Sequence, residues 1–402
     1  MLQCNSRMSI EGQIHIRLDP GSLSSVNISS SRPRQLLPLL QGLEPQELQK
    51  KIPLLYALCG KAQGLAATRA LQAASSDVQL PEHLRVSSRQ QREVVIEALQ
   101  EYLWRFLIDL PQRLHKPAAL SIFAPLRKAL GQLALVAEGS DEIPYLLGKL
   151  DDALRIELLG MNPERWLALD IEGWDRWLDQ YPVALPTWLR ELRSQLQMFP
   201  PASASERLPS KPTTEQLQAL GQALEADREF AFVPSWGGQH PETGALSYQQ
   251  HQPWLMALQQ RGCSLVLLRM LARLFEVLRL RQGLHRGFAD SATDGQPNTP
   301  VSRDGDWQAG LSGALRLQPQ VGLGWVRTAR GLLLHWVQMD QGKVSDYRIL
   351  APTEWNFHPQ GPLALGLQSW LWVASDRLPD WVGLQVLSLD PCVQYQCEVR
   401  AQ

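Results

Sequence analysis

The chain has 402 residues, 44% of them hydrophobic, which is enough to bury a large apolar core. Its 39 Lys and Arg against 40 Asp and Glu give a net charge of −1, which argues against nucleic acid as a partner. No stretch approaches the ~18 apolar residues of a membrane span, and the N-terminus shows no apolar secretion signal. The five cysteines are too scattered for a disulfide framework, so we expect a cytoplasmic protein with reduced thiols.

The first half of the chain predicts one strand followed by helices. Residues 10–18 alternate between apolar and polar side chains, which predicts a strand with one buried face that ends at Asp19-Pro20-Gly21. Four segments that follow have helical spacing, the first with breaks near Pro45 and Pro53: 34–73, 93–110, 120–135 and 143–159. Residues 160–188 are Trp-rich and broken by prolines.

The second half predicts helices that give way to strands. Residues 264–282 form the most apolar helix candidate, and we expect its four arginines to face solvent rather than a partner. Segments 332–338 and 344–350 flank Gln341-Gly342 and predict a β-hairpin, after a polar loop at 290–306. We expect one intertwined unit made of an N-terminal β segment (1–30), a helical part (31–199), a linker or loop (200–213) and a helical then β part (214–402).

The cysteines near the two ends are the best site candidates from the residues alone. Cys59 lies in an apolar helical context, where a lone cysteine is usually a small buried hydrophobe. Asp390-Pro391-Cys392 is more suggestive, because proline fixes a turn that can present a thiolate, and Cys397 follows five residues later. Such a pair can bind a soft metal or form a disulfide, and the spacing alone leaves both interpretations open.

Four segments read together resemble the large subunits of nickel–iron hydrogenases. They occur in the order in which that family has them and span most of the chain. The four segments are Ile10-Glu11-Gly12-Gln13-Ile14-His15, Leu58-Cys59-Gly60, Ala329-Arg330-Gly331 through His335-Trp336 to Pro352-Thr353-Glu354-Trp355-Asn356, and Asp390-Pro391-Cys392. The third of them is the most specific. The resemblance implies an α+β, mainly helical fold with a central long-helix bundle and small peripheral β-sheets. It also implies that the two cysteine segments meet at the centre of the fold.

The ligand set of that family is only half retained. The large subunits hold nickel and iron with four thiolates, two from each cysteine motif, and here the first cysteine of each pair is kept as Cys59 and Cys392. The family's other ligand and histidine positions hold different residues in this chain: Ala62, Ala66, Tyr395 and Glu398. Cys397 could replace the second ligand if the terminal segment curls, because a two-residue shift spans up to ~7 Å. The resemblance thus implies Cys59, Cys392 and Cys397 as candidate metal ligands.

Other residues are assigned by the same resemblance. Arg330 matches the arginine that lies over the family's active site, and Glu11 matches a glutamate near the proton route, so both are expected to contact the cargo. For Glu11, a solvent-facing strand position is an equally good interpretation. His335 and Asn356 are expected to hold the surrounding loops. Catalytic large subunits carry a longer C-terminal tail that is removed after nickel insertion, and with an end at Gln402 we expect no such processing.

Loss of half the thiolates points to an assembly protein rather than a hydrogenase. The chain resembles the degenerate branch of the family, of the HupK/HoxV type, which implies a non-catalytic scaffold that transiently holds an iron cyano-carbonyl group and no permanent nickel. The expected partners are a small chaperone of the HypC type, other maturation proteins and the hydrogenase large subunit, with no nucleic acid and no membrane. The alternatives are a divergent hydrogenase large subunit and a metal-free structural mimic of one.

Overall fold

The computed structural model describes residues 12–19, 25–32, 37–56, 58–75, 86–197, 205–292, 311–369 and 378–399. The chain forms two compact units, each assembled from separate stretches. We call the first the two-sheet unit (Met1–Arg85, Ala202–Gly244 and Ser312–Gln402) and the second the helical unit (Val86–Pro201 and Ala245–Leu311). Part of the expected linker at 200–213 lies outside the described residues, as does most of the expected polar loop at 290–306. The domain boundaries drawn from the sequence stay a prediction.

Helices dominate the described residues, as the α+β, mainly helical prediction required. Two π-helical turns, Arg105–Asp109 and Ala153–Leu159, continue the fourth and seventh helices, and short 3-10 helices occupy Ile52–Leu55 and Glu229–Ala231. None of the described helices is long and apolar enough to cross a membrane. The α-helices in chain order are α1 Leu37–Leu40, α2 Pro45–Lys51, α3 Gly60–Ala74, α4 Ser88–Trp104, α5 Leu110–Arg113, α6 Leu120–Leu135, α7 Glu142–Asp152, α8 Pro163–Leu167, α9 Ile171–Gln180, α10 Ala184–Leu196, α11 Thr214–Ala226, α12 Ala245–Tyr248, α13 Pro253–Gln260, α14 Leu265–Ala292, α15 Pro352–Asn356, α16 Pro362–Gln368 and α17 Leu378–Leu389.

A three-stranded sheet joins the two ends of the chain. Strand β1 (Gln13–Leu18) pairs antiparallel with β2 (Val26–Ser30) and parallel with β7 (Gln394–Val399). The alternation predicted for β1 is confirmed, because its apolar residues are buried against a cluster that includes residues of α16 and α17. The pairing of β1 with β7 places the opening segment of the chain beside the strand that follows Asp390-Pro391-Cys392.

A four-stranded antiparallel sheet carries the most specific of the resembling segments. Its strands run in the order β3 (Ser312–Gln318), β4 (Val321–Thr328), β5 (Gly331–Asp340) and β6 (Lys343–Leu350), and the predicted β5–β6 hairpin is confirmed. Helix α3 packs directly on this sheet. A Cβ atom at Gly322 or Gly324 of β4 would overlap backbone atoms of α3. The two glycines therefore let α3, which begins beside Cys59, approach the sheet closely.

The helical unit is built around α14, and one prediction about that helix is wrong. Of the four arginines within residues 264–282, Arg269, Arg273 and Arg281 are only 2%, 3% and 8% exposed, whereas Arg279 faces solvent. The side chain of Arg281 donates to Asp151 at 2.6 Å and also contacts a glutamate of α8. Acidic residues on neighbouring helices supply the counter-charge that the burial of Arg281 requires, and the sequence of α14 alone does not show them.

Candidate functional site

The first cysteine lies at the N-terminus of α3. Cys59 is the N-cap residue of this helix, is half-buried and makes no side-chain cap hydrogen bond. Ser87 and Thr213 begin α4 and α11 with complete capping boxes, so the start of α3 departs from the pattern of these other helices. The partial positive charge of a helix N-terminus favours a thiolate there. The local structure thus presents the Cys59 thiol at the N-terminus of α3.

A chain of buried polar side chains leads to Cys59. Gln63, one turn along α3, donates from Nε2 to the Cys59 sulfur at 3.5 Å. The Gln63 Oε1 contacts His335 Nε2 at 2.8 Å, and His335 Nδ1 contacts the Tyr347 hydroxyl at 2.5 Å. Burial lowers the pKa of His335 to about 3 and raises the pKa of Tyr347 well above its ordinary value, so both side chains are neutral near pH 7. His335 therefore has the structural role expected of it.

The second cysteine is presented by a tight turn after α17. Asp390 has a φ of +57°, a left-handed conformation that few residues other than glycine adopt, and its N–H closes the helix on Val386 O at 2.8 Å. Pro391 then directs the chain away, and Cys392 lies half-buried beside Thr353 of α15. The Thr353 hydroxyl is 3.2 Å from the Cys392 sulfur and accepts the Cys392 N–H at 3.4 Å.

Buried contacts fix the arginine segment against this turn. The Arg330 Nε atom lies 3.5 Å from Asp390 Oδ1, and the two side chains are 4% and 0% exposed. The Asn356 amide donates to the carbonyls of Thr243, Arg330 and Leu389 at 2.9, 3.4 and 3.5 Å. Asn356 therefore ties together three loops, as expected. Arg330 lies next to the Asp-Pro-Cys turn, and its predicted contact with the cargo stays a prediction.

A second arginine, Arg32, lies between the two cysteine segments. It follows β2 and forms an ion pair with Glu354, and the two side chains are only 11% and 10% exposed. Burial alone would lower the pKa of Arg32, but Cys392, Glu354, Tyr56 and Cys59 together raise it above its ordinary value. Burial raises the pKa of Tyr56, Arg32 opposes that rise, and both thiols add to it.

These shared interactions show which predicted residues the fold brings together. Cys59 and Cys392 each act electrostatically on Arg32 and on Tyr56, so the two thiols face one common group of side chains. We call this group the thiol site: Cys59, Cys392, Arg32, Tyr56 and Glu354. The expectation that the two cysteine segments meet is consistent with this arrangement.

The glycine of the opening motif explains how Arg32 reaches the thiol site. Gly12 has a φ of +73°, and a Cβ atom there would lie 2.5 Å from Ser31 O and 2.6 Å from the Arg32 Cα. Only glycine combines this backbone conformation with so close an approach. The neighbouring Glu11, predicted to contact the cargo, lies outside the described residues.

Cys397 lies in an extended strand, away from the conformation that its predicted role as a ligand requires. It is residue 397 of β7, opposite Ile16 in β1, and packs with Tyr395 against the apolar cluster under the three-stranded sheet. Burial raises the pKa of its thiol to about 11, so it is protonated at neutral pH. The terminal segment does not curl here, and the metal-ligand role of Cys397 stays a prediction that the structure does not support.

The donor set suits a metal fragment that brings ligands of its own. Among the residues that the structure describes, no three His, Cys, Asp or Glu side chains are grouped to hold a metal ion. Two soft thiolates beside a buried guanidinium can bind a soft, negatively charged fragment, whereas they leave a bare nickel ion with half of a four-thiolate shell. The position that would supply the third thiolate is the buried side chain of Ala62.

Sequence reasoning found the cysteines and missed most of the side chains around them. Glu354 and Thr353 lay inside the quoted Pro-Thr-Glu-Trp-Asn segment, so their position was visible but their partners were not. Gln63 follows the missing ligand position by one residue, which was a usable signal. Arg32 lies in a polar stretch with no motif, and only the pairing of β1 with β2 shows where it goes.

Comparisons with known proteins decide the family. The hydrogenase expression/formation protein HoxV of Cupriavidus necator is 32% identical over 97% of this chain and 96% of its own length. The HupK protein of Azotobacter vinelandii is 30% identical over 96% and 98%, and that of Bradyrhizobium diazoefficiens is 26% identical over 97% and 97%. The chain belongs to the HoxV/HupK family of hydrogenase expression/formation proteins. The model of the nickel-dependent hydrogenase family also matches, over residues 257–366.

Solved structures show that the HoxV/HupK chain has the hydrogenase large-subunit fold. An NAD+-reducing [NiFe]-hydrogenase chain superposes with a TM-score of 0.56 at 13% identity, over 91% of this chain and 92% of that one. A Ni-Fe-Se hydrogenase chain from Desulfomicrobium baculatum gives 0.55 at 14% identity, over 91% and 93%. At these identities the likeness concerns the fold alone, and it confirms the fold class predicted from the sequence.

Proposed function

We propose that this protein is a non-catalytic scaffold in the maturation of a nickel–iron hydrogenase, and that it transiently holds an iron cyano-carbonyl fragment at Cys59 and Cys392. The observation that carries the proposal is the thiol site, in which two half-buried thiols from opposite ends of the chain act on the same buried arginine. The relatives that match over their full length are named hydrogenase expression/formation proteins, which supports a maturation role.

Two thiolates suit temporary rather than permanent binding. Soft thiolates favour low-spin iron, and the fragment brings cyanide and carbonyl ligands of its own, so two thiolates from the protein can hold it. Without a second thiolate from each motif, there is no pair of bridging ligands to retain nickel beside the iron. The fragment is therefore cargo, which a partner with a complete ligand set can take over.

The charges of the thiol site favour a negatively charged cargo. Arg32 is buried and its guanidinium can donate to anionic ligands, while Glu354 keeps the resting site close to neutral. Arg330 is a second guanidinium near Cys392, because it lies beside Asp390, which precedes Cys392 in the same turn. The proposal places this exchange in the cytoplasm, with a small chaperone of the HypC type as the carrier and the hydrogenase large subunit as the recipient.

The test is infrared spectroscopy with iron and nickel analysis on protein purified anaerobically from cells that contain the maturation machinery. We expect cyanide and carbonyl stretching bands with iron and little nickel, and we expect the Cys59→Ala and Cys392→Ala variants to lose both the bands and the iron. Cys263→Ala is the matched control, because Cys263 lies in the helical unit and burial raises the pKa of its thiol to about 12.

Two other outcomes would replace the proposal. Stoichiometric nickel together with hydrogen uptake in the presence of a small subunit would identify a divergent hydrogenase large subunit. An empty infrared region, with hydrogenase maturation unaffected by either cysteine variant, would identify a metal-free structural mimic.

A further inference from the structure

The two cysteines of the thiol site share one feature that their sequence motifs do not show. Each sulfur has one hydrogen-bonding neighbour in the two-sheet unit, and the two neighbours belong to different helices, α3 and α15. For Cys59 this is the amide of Gln63, 3.5 Å away, and for Cys392 it is the hydroxyl of Thr353, 3.2 Å away. Each neighbour is buried, and each is itself held by further contacts.

The orientation of the Gln63 amide is set by the residues behind it. A neutral imidazole has one N–H donor and one acceptor nitrogen, and the carbonyl oxygen of Gln63 needs a donor, which His335 Nε2 supplies. His335 Nδ1 is then the acceptor, and the Tyr347 hydroxyl donates to it. With its oxygen engaged in this way, Gln63 has its amino group directed at the Cys59 sulfur. A run of hydrogen bonds in one direction strengthens each member.

The direction of the Thr353 hydroxyl follows from a similar argument. Its oxygen accepts the backbone N–H of Cys392 at 3.4 Å, and its single proton can then be directed at the Cys392 sulfur. Thr353 lies in the first turn of α15, next to Glu354, whose ion pair with Arg32 anchors that turn. The donor is therefore on a rigid, buried element.

We infer that Gln63 and Thr353 are thiolate-positioning residues: each donates one hydrogen bond to one retained cysteine, orients its sulfur for a soft, negatively charged metal fragment and limits the charge that the sulfur gives to the metal. The nature of the ligand rests on the proposed function, whereas the two hydrogen bonds do not. Hydrogen bonds to ligand atoms tune both the orientation and the strength of metal ligands. In this protein they hold two separate thiolates ready where the related hydrogenases use four.

The test uses metal-free protein and reads each cysteine separately. The rate of alkylation by iodoacetamide is followed by peptide mass spectrometry at Cys59 and at Cys392. The pH is about 7.5, which lies between neutral pH and the ordinary pKa of a thiol. Loss of one hydrogen bond to a thiolate lowers the thiolate population about tenfold, and the higher nucleophilicity of the freed sulfur recovers about half of that on a logarithmic scale. The expected net effect is alkylation about threefold slower.

The variants form a reciprocal pair. Gln63→Met keeps the size of the side chain and removes the donor, so it should slow Cys59 about threefold and leave Cys392 unchanged. Thr353→Val should slow Cys392 and leave Cys59 unchanged, and Thr353→Ser, which keeps the hydroxyl, should restore the native rate. Tyr347→Phe removes the hydroxyl that fixes His335, and it should give a smaller slowing at Cys59 alone.

Selectivity between the two cysteines separates positioning from general damage to the fold. Equal changes at both cysteines in folded variants, or no change at either, would overturn the inference. If Gln63→Met does not fold, the Thr353 pair and Tyr347→Phe give the same decision. Because no cargo is used, selective changes together with an empty infrared spectrum would retain the inference about the sulfurs and reject the proposed cargo.

Discussion

Replacing Glu354 by glutamine is expected to destabilise the two-sheet unit by about 3–5 kcal/mol, because it removes the carboxylate that pairs with the buried guanidinium of Arg32. The two side chains are 11% and 10% exposed, so solvent cannot compensate for the loss. Urea denaturation measures the effect as a lower midpoint at an unchanged slope. The Arg32→Met, Glu354→Leu double variant should recover most of the stability, since removal of both members leaves no uncompensated charge.

A surface pair in the same unit is the matched control. Arg17 and Glu398 join β1 to β7 at 3.2 Å, but their side chains are 53% and 62% exposed. Glu398→Gln should therefore change the free energy of unfolding by less than about 1 kcal/mol. Equal effects of Glu354→Gln and Glu398→Gln would show that the Arg32–Glu354 pair does not stabilise the fold.

Replacing Gly324 by alanine is expected to cost about 3 kcal/mol or more of stability, at the upper end for overpacking. The added Cβ would overlap the carbonyl oxygen of Ala66 and the backbone nitrogen of Ala70, and backbone atoms of a helix cannot rotate away as a flexible side chain can. Helix α3 must then shift from the sheet. Since α3 carries Gln63 and the sheet carries His335, alkylation of Cys59 should change in the same variant.

Gly131 of α6 is the matched control for this substitution. It lies inside a helix, and a Cβ atom there would meet nothing within 4 Å. Gly131→Ala should therefore stabilise the protein by up to about 1 kcal/mol, because alanine is the better helix former. A Gly324→Ala variant as stable as the native protein would show that α3 does not pack on β4 as closely as described.

Local patterns predicted most of the elements, because their signals are contained in short stretches of sequence. The period of two at residues 13–18 gave β1, and the turn at Gln341-Gly342 gave the β5–β6 hairpin. Three arginines of α14 were assigned to the wrong environment, and for Arg281 the reason is that its acidic partners belong to other helices. Burial of a charge depends on residues distant in sequence, and no periodicity reports them.

The thiol site and the residues around it divide in the same way. Cys59, Cys392 and Arg330 were found through motif order, which is a property of the sequence. Arg32 became visible only when the pairing of β1 with β2 placed it near the sulfurs, whereas Gln63 lies one helical turn after Cys59 and its spacing could have been used. The extended conformation of β7, which Cys397 occupies, follows from the pairing of that strand with β1 at the other end of the chain.

The most direct test of the central claim is to follow labelled iron from this protein to a hydrogenase large subunit. The protein is isolated anaerobically from cells that lack the recipient and that were grown with isotopically labelled iron. It is then mixed with the metal-free large subunit and the HypC-type chaperone. We predict that the cyanide and carbonyl bands and the label leave this protein and appear in the large subunit, and that Cys392→Ala protein has nothing to transfer. Label that stays on this protein, or a large subunit that acquires its iron equally well without it, would contradict the account.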